Sequence, residues 1–233
     1  MTRKIGLSFS LWNGERLERI KNAAHGFEFI DLSGVYSDKD IEECEILFGF
    51  ISNDVLKSAK NLKWLHAQSA GVDYYLNSES GLSESVILTN SSGAYGIGIS
   101  EHLIAVTLML LRKMNEYVRL QIQNKWQGLG SVQTLYQSRV TVIGLGDIGG
   151  NYAMRCHSLG AQVRGVVRKE RSEKPYYVDE LFTVDRLDEA IDGADIVALC
   201  LPGTKETQNI MSKQRMNALK SRTRLLSCSK RVT

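Results

Sequence analysis

The stretch VTVIGLGDIG at residues 140–149 constrains this chain more than any other. Four β-branched residues precede a turn punctuated by glycines, and a helix-compatible run over 147–158 follows it. Strand, glycine turn and helix in that order are the fingerprint of a dinucleotide-binding unit. Gly144 permits the tight turn, Gly146 lets a pyrophosphate approach the backbone, and Gly149 lets the helix pack closely on the strand. Leu145, Asp147 and Ile148 complete the turn, and the free N–H groups of the helix start face the phosphates. Glycines at this spacing also occur in plain strand-to-helix turns and in other nucleotide folds, including methyltransferases. The strand before and the helix after favour the dinucleotide reading.

The rest of the chain alternates in the same way. Strand-like apolar runs fall at 4–10, 27–32, 46–50, 62–66 and 86–89, with helix-compatible stretches at 15–24, 38–45 and 53–60 between them. Such alternation predicts a parallel sheet covered on both faces. A single long helix is expected from a Ser100 cap to about residue 124, carrying Leu103, Ile104, Val106, Leu110, Leu111, Met114 and Val118 at three- and four-residue steps. A second α/β unit follows, with strands at 140–143, 163–167 and 196–201 and a helix at 187–191. The expected architecture is therefore α/β with two doubly wound units. Residues 1–98 form a flavodoxin-like unit, and residues 99–233 hold the long helix and a Rossmann dinucleotide-binding unit.

The end of the second Rossmann strand selects the cofactor. An acidic residue about 20 positions past the first glycine bonds the adenosine ribose, whereas an arginine accommodates a 2′-phosphate. The sequence there reads VRGVVRKER over 163–171. Val167 takes the acid's place and Arg168 follows it, with a guanidinium suited to bidentate phosphate binding. NADP is the expected cofactor, with NAD as the other possibility, and a solvated basic turn is the bland alternative.

Charge and cysteine usage narrow the function further. The net charge is +3, yet Lys220, Arg222, Arg224, Lys230 and Arg231 sit in the last fourteen residues without an acid among them. The basicity belongs to that tail, so neither nucleic acid nor a membrane is an expected partner. Cys44, Cys156, Cys200 and Cys228 are widely separated, with no CxxC spacing, so no metal site is expected and a reducing, cytoplasmic setting is. The longest apolar segment, 97–111, is interrupted by Glu101 and His102 and falls short of the ~20 residues of a membrane span.

Four stretches together resemble the D-isomer-specific 2-hydroxyacid dehydrogenases. They are LKWLHAQSAGVDYY at 62–75, NSSGAYGIGISEHLIAVTLMLLRK at 90–113, VTVIGLGDIG at 140–149 and ADIVALCLPGTKETQNIM at 194–211. The resemblance implies that the first unit is a substrate domain in which backbone amides of Ala70, Gly71 and Val72 hold a substrate carboxylate, as successive free N–H groups can. It implies contacts to the cofactor from Gly144, Leu145, Gly146, Asp147, Ile148, Gly149, Leu201, Pro202 and Thr207, and it sets Tyr95 beside the cleft. The implied reaction is hydride transfer between NAD(P)H and a small 2-keto or 2-hydroxy acid, in a homodimer of the complete chain.

The catalytic arginine, glutamate and histidine of such enzymes follow the stretch that 201–211 resembles, and here the chain departs. It reads SRTRLLSCSKRVT from 221 onward. Arg222 and Arg224 fall where a central parallel strand is expected to be apolar. Lys230 stands opposite the expected arginine, with Ser229 and Arg231 in place of its flanking glycines. The expectation is a truncated or frameshifted member with impaired turnover, and the alternative is a non-catalytic NAD(P)-binding remnant or sensor. Of the histidines present, His66 is the first candidate for a replacement acid, ahead of His25, His102 and His157, and a structural role is the competing reading for it. No catalytic residue is assigned from the sequence.

Overall fold

A computed structural model describes residues 3–8 and 14–228. The contacts within it divide the chain into two compact units, Met1–Ala94 and Tyr95–Thr233.

The first unit runs β1 (Arg3–Ser8), α1 (Gly14–Ala23), β2 (Phe27–Asp31), α2 (Asp38–Glu42), β3 (Cys44–Gly49), α3 (Asn53–Ser58), β4 (Trp64–Ala67) and β5 (Ile87–Asn90). All its strand pairs are parallel, in the order β2-β1-β3-β4-β5, which is the flavodoxin-like order. Its core packs Leu47, Leu65, Ala67, Cys44 and Ile51 at essentially zero exposure. The two short helices are capped by their own sequence. Ser37 and Asp40 form a reciprocal capping box on α2, and the Ser52 hydroxyl accepts from the Val55 N–H on α3. The last residues of the expected 4–10 strand lie outside the described residues.

The second unit runs α4 (Gly96–Leu111), α5 (Met114–Ile122), β6 (Arg139–Ile143), α6 (Asp147–Ser158), β7 (Gln162–Val167), β8 (Glu180–Thr183), α7 (Leu187–Ile191), β9 (Ile196–Leu199), α8 (Lys213–Ala218) and β10 (Arg224–Ser227). Its sheet is again wholly parallel, ordered β10-β9-β6-β7-β8. Beyond the half-buried Arg139 that opens β6, the central strands β6 and β9 are buried on both faces and read as apolar runs interrupted by Thr141. That hydroxyl donates to the Ala190 carbonyl at 2.7 Å, so this fully buried polar group is satisfied.

Three expectations are corrected. The single helix from Ser100 to about residue 124 is two helices. α4 begins at Gly96, with Tyr95 at its cap and Ser100 buried in its interior, and it ends at Leu111. Lys113 then adopts a left-handed conformation at φ 55° before α5 begins. A strand at 180–183, β8, forms where none was expected and pairs with β7. The arginines near the end of the chain do not prevent a strand. β10 pairs only with β9 among the described residues. Arg222 is exposed just before it, and the half-buried Arg224 donates to the Arg222 carbonyl, so neither of these two guanidinium groups is buried without a partner. Ser229, Lys230 and Arg231 lie outside the described residues. No described helix is long and apolar enough to cross a membrane.

Candidate functional site

In the second unit the turn between β6 and α6 has the geometry its glycines require. Gly144 sits at φ +96°, a region closed to most side chains, and its N–H donates to the Val166 carbonyl at 2.9 Å. A Cβ on Gly149 would lie 1.8 Å from the Gly144 carbonyl oxygen, so the helix can approach the strand only without a side chain there. A Cβ on Gly146 would meet nothing within 4 Å. Two glycines are thus crowded by protein, and the third faces open space at the helix start, where a phosphate group needs room. This is a cradle that fits a dinucleotide.

The other expected residues of the turn differ in what they can offer. The Leu145 side chain is buried against Gly165, where a Cβ would come within 2.5 Å of Leu145 Cδ1, and so it belongs to the core. Ile148 also packs on that core. Asp147 is exposed, and its carboxylate rests against Gly96 and accepts from the Asn151 amide at 3.4 Å. What these residues present to a ligand is backbone: the first helical N–H groups have no acceptor within the helix.

Around this turn lie β7 and the segment after β9. Arg168 is exposed at the end of β7. The Glu206 carboxyl, bonded chiefly by Thr204 and the local backbone, is held below its usual value in part by the charge of Arg168, which sets the two in one electrostatic neighbourhood. Leu201 is half-buried and Pro202 exposed. The Thr207 hydroxyl accepts from the Thr204 N–H at 2.9 Å and donates to the Pro202 carbonyl at 2.6 Å. Thr207 therefore folds its own loop, a role its sequence context alone did not reveal.

In the first unit, Ala70 and Gly71 are exposed and Val72 half-buried in the segment that follows β4. Their carbonyls are held: Asn90 donates to Ala70, Ser69 to Gly71, and the Tyr75 N–H to Val72. None of their three N–H groups finds an acceptor among the described residues. Successive donors of this kind suit an anion.

His66 proves to be a satisfied side chain. Trp64 Nε1 donates to the Thr89 hydroxyl, which lies 2.8 Å from His66 Nδ1 and donates to it in turn. Ser91 donates its own proton to the Ala67 carbonyl, leaving its oxygen to accept from His66 Nε2 at 3.2 Å. The ring also stacks on Phe48 with centroids 4.3 Å apart. Burial lowers its pKa, consistent with a neutral ring protonated on Nε2. His25 and His102 are exposed, and His157 packs edge-on against Tyr176. Tyr95 is half-buried at the cap of α4.

Comparison with known proteins gives this geometry its context. Residues 104–231 match the family described as D-isomer specific 2-hydroxyacid dehydrogenase, NAD binding domain. A D-3-phosphoglycerate dehydrogenase of Archaeoglobus fulgidus is 28% identical over 174 residues, which is 73% of this chain and 32% of that protein. A D-lactate dehydrogenase of Treponema pallidum is 30% identical over 168 residues, 70% of this chain and 48% of that protein. The chain thus spans a third to a half of these relatives' lengths. Among solved structures, a D-isomer specific 2-hydroxyacid dehydrogenase family protein of Aeromonas salmonicida superposes with a TM-score of 0.83 at 26% identity, covering 97% of this chain and 73% of that one. With more than half its length matched to the family's nucleotide-binding domain and both sheets ordered as described, this chain belongs to the D-isomer specific 2-hydroxyacid dehydrogenases.

Proposed function

We propose that the chain is a nicotinamide dinucleotide-binding oxidoreductase component acting on a small 2-keto or 2-hydroxy acid, with NADP preferred over NAD. The observation that carries this reading is the turn at 144–149, crowded at Gly144 and Gly149 and open at Gly146. The backbone N–H groups at the start of α6 hold the pyrophosphate. Arg168 meets a 2′-phosphate at the end of β7, with a guanidinium that binds phosphate where a carboxylate would repel it. Leu201, Pro202 and Thr207 line the adjoining loop. The N–H groups of Ala70, Gly71 and Val72 bind the carboxylate of the acid. When bound, the nicotinamide supplies or accepts a hydride at the 2-carbon.

A second reading is a chain that binds the dinucleotide without turnover. It is favoured by the bonding of His66, whose two ring nitrogens are both engaged, so that this histidine is not poised as a proton donor. Calorimetric titration with NADPH and with NADH tests binding and preference. Absorbance of NADPH followed with glyoxylate, hydroxypyruvate or phenylpyruvate then separates the two readings, since oxidation occurs only under the first. A folded chain that binds neither nucleotide overturns both.

A further inference from the structure

The four thiols of this chain are not equivalent. Cys44 and Cys156 are fully buried, and burial pushes them up to about 11 and about 12. Cys200 and Cys228 are only half-buried, and the sheet brings them together. β10 pairs with β9 in parallel register, with Ser227 beside Leu199, and the ladder continues one step further as the Cys228 N–H donates to the Leu199 carbonyl at 3.1 Å. That register sets Cys228 beside Cys200. Both side chains lie against the same cluster of buried residues, hence on the same face of the sheet. The Cys228 thiol gives its proton to the Leu199 carbonyl at 3.1 Å, so that within the pair Cys200 donates and Cys228 accepts.

We propose that Cys200 and Cys228 are a dithiol site that closes to an intrachain disulfide when the protein meets hydrogen peroxide. Neighbouring strands lie about 4.8 Å apart, within the separation of Cα atoms that a disulfide spans. The hydrogen bond from Cys200 draws the Cys228 thiol below its usual value, which makes Cys228 the sulfur that reacts first. Its thiolate attacks one peroxide oxygen, the O–O bond breaks, and a sulfenic acid and water result. The Cys200 sulfur then displaces the hydroxyl as a second water. In sum two thiols lose two protons and two electrons, and the peroxide gains them as two waters. The bridge ties β10 to β9 at the strand end next to the glycine turn, where a Cβ on Gly144 would already lie 2.6 Å from the Cys200 carbonyl oxygen. The site stands whether or not the chain turns over a substrate.

Peptide mapping of the full chain tests it. The protein is exposed to hydrogen peroxide, free thiols are capped with N-ethylmaleimide under denaturing conditions, and the digest is analysed without reduction. The expected product is one linked pair of peptides carrying Cys200 and Cys228, lighter by two hydrogens than their sum, present in the monomeric band and lost on treatment with dithiothreitol. Cys44 and Cys156 are recovered capped. Recovery of Cys200 and Cys228 unlinked after oxidation overturns the proposal, as does a link from Cys200 to Cys156 or a link found only between two chains. The Cys228→Ser chain is expected to lose the linked pair, and the Cys156→Ser chain to keep it.

Discussion

The Tyr152 hydroxyl lies 2.8 Å from the Thr107 hydroxyl, and the direction of that hydrogen bond is fixed by a third atom. Thr107 gives its only proton to the Leu103 carbonyl at 2.7 Å, so Tyr152 must donate to Thr107. Both residues are fully buried, one on α6 and the other on α4, and the bond joins the fingerprint helix to the helix packed on it. Removing the Tyr152 hydroxyl leaves the Thr107 oxygen its bond to Leu103, so Tyr152→Phe is expected to cost only about 1 kcal/mol. Tyr152→Ala empties a large buried volume and is expected to cost about 3–5 kcal/mol. Urea denaturation of the two variants checks the ordering, which a cost for phenylalanine equal to that for alanine would contradict.

Two of the fingerprint glycines should separate folding from binding. Gly149→Ala sets a methyl group 1.8 Å from a backbone oxygen and is expected to destabilise the unit by about 3 kcal/mol or more. Gly146→Ala introduces no clash and sits at φ −80°, which alanine adopts freely, so its stability should stay within about 0.5 kcal/mol of the parent. Its dinucleotide affinity is nevertheless expected to fall about tenfold, near 1.4 kcal/mol, because the methyl group occupies the phosphate's approach. Thermal denaturation and NADPH calorimetry on the same two samples decide the matter.

Arg168 carries the cofactor preference. Arg168→Ala is expected to weaken NADPH binding about 10- to 100-fold, the worth of a charge-assisted phosphate contact, and to leave NADH binding unchanged. Glu206→Gln, which removes the carboxylate in the field of Arg168, should strengthen NADPH binding modestly. Equal losses for the two nucleotides in Arg168→Ala would remove the guanidinium from the reading.

His66 gives the first unit an acid-sensitive element. Its folded pKa lies below the unfolded value of about 6.5, so the unfolded chain binds more protons between the two. Stability is therefore complete above about pH 6.5 and declines as the pH falls from there through the folded value. Unfolding midpoints at pH 7.5 and 5.5 should differ more for the parent than for His66→Asn.

The Asp40 carboxyl, which accepts from the Ser37 hydroxyl and N–H and from Lys4, is lowered to about 2. The stability it lends is present above about pH 4 and is lost as the pH falls through about 2. The acid limb of the unfolding curve should flatten in Asp40→Asn. A limb of unchanged slope would mean that the Ser37 cap and the Lys4 pair contribute nothing in solution.

Much of this fold was legible because its central strands and glycine turn have only one physical use. The run at 140–143 is apolar but for Thr141 because both faces of β6 are covered, and the glycines that follow are spaced by the approach of helix to strand. The break between α4 and α5 left no such trace. Apolar positions continue across it at helical spacing, and the residue that turns the chain is Lys113, which carries none of the conformational signature of glycine or proline. β8 escaped notice because a four-residue strand at a sheet edge, beginning with Glu180, has too few alternations to register. β10 was misjudged for the opposite reason. Its arginines argue against a central strand, whereas at the edge of the described sheet they lie in or near water. At the candidate site, backbone roles could be read from glycine spacing. The loop-folding role of Thr207 and the closed bonding of His66 depend on partners that only the folded chain supplies.

The corner at Lys113 also divides the labour of the two helices it joins. α4 sinks Leu103, Thr107 and Leu111 into the core, while α5 has no buried residue and turns Met114, Val118 and Ile122 toward the outside. Amide protons of α4 should accordingly exchange only when the whole unit opens. Those of α5 should trade with deuterium through brief local fraying, and this short rod would go silent well before α4 as the solution warms.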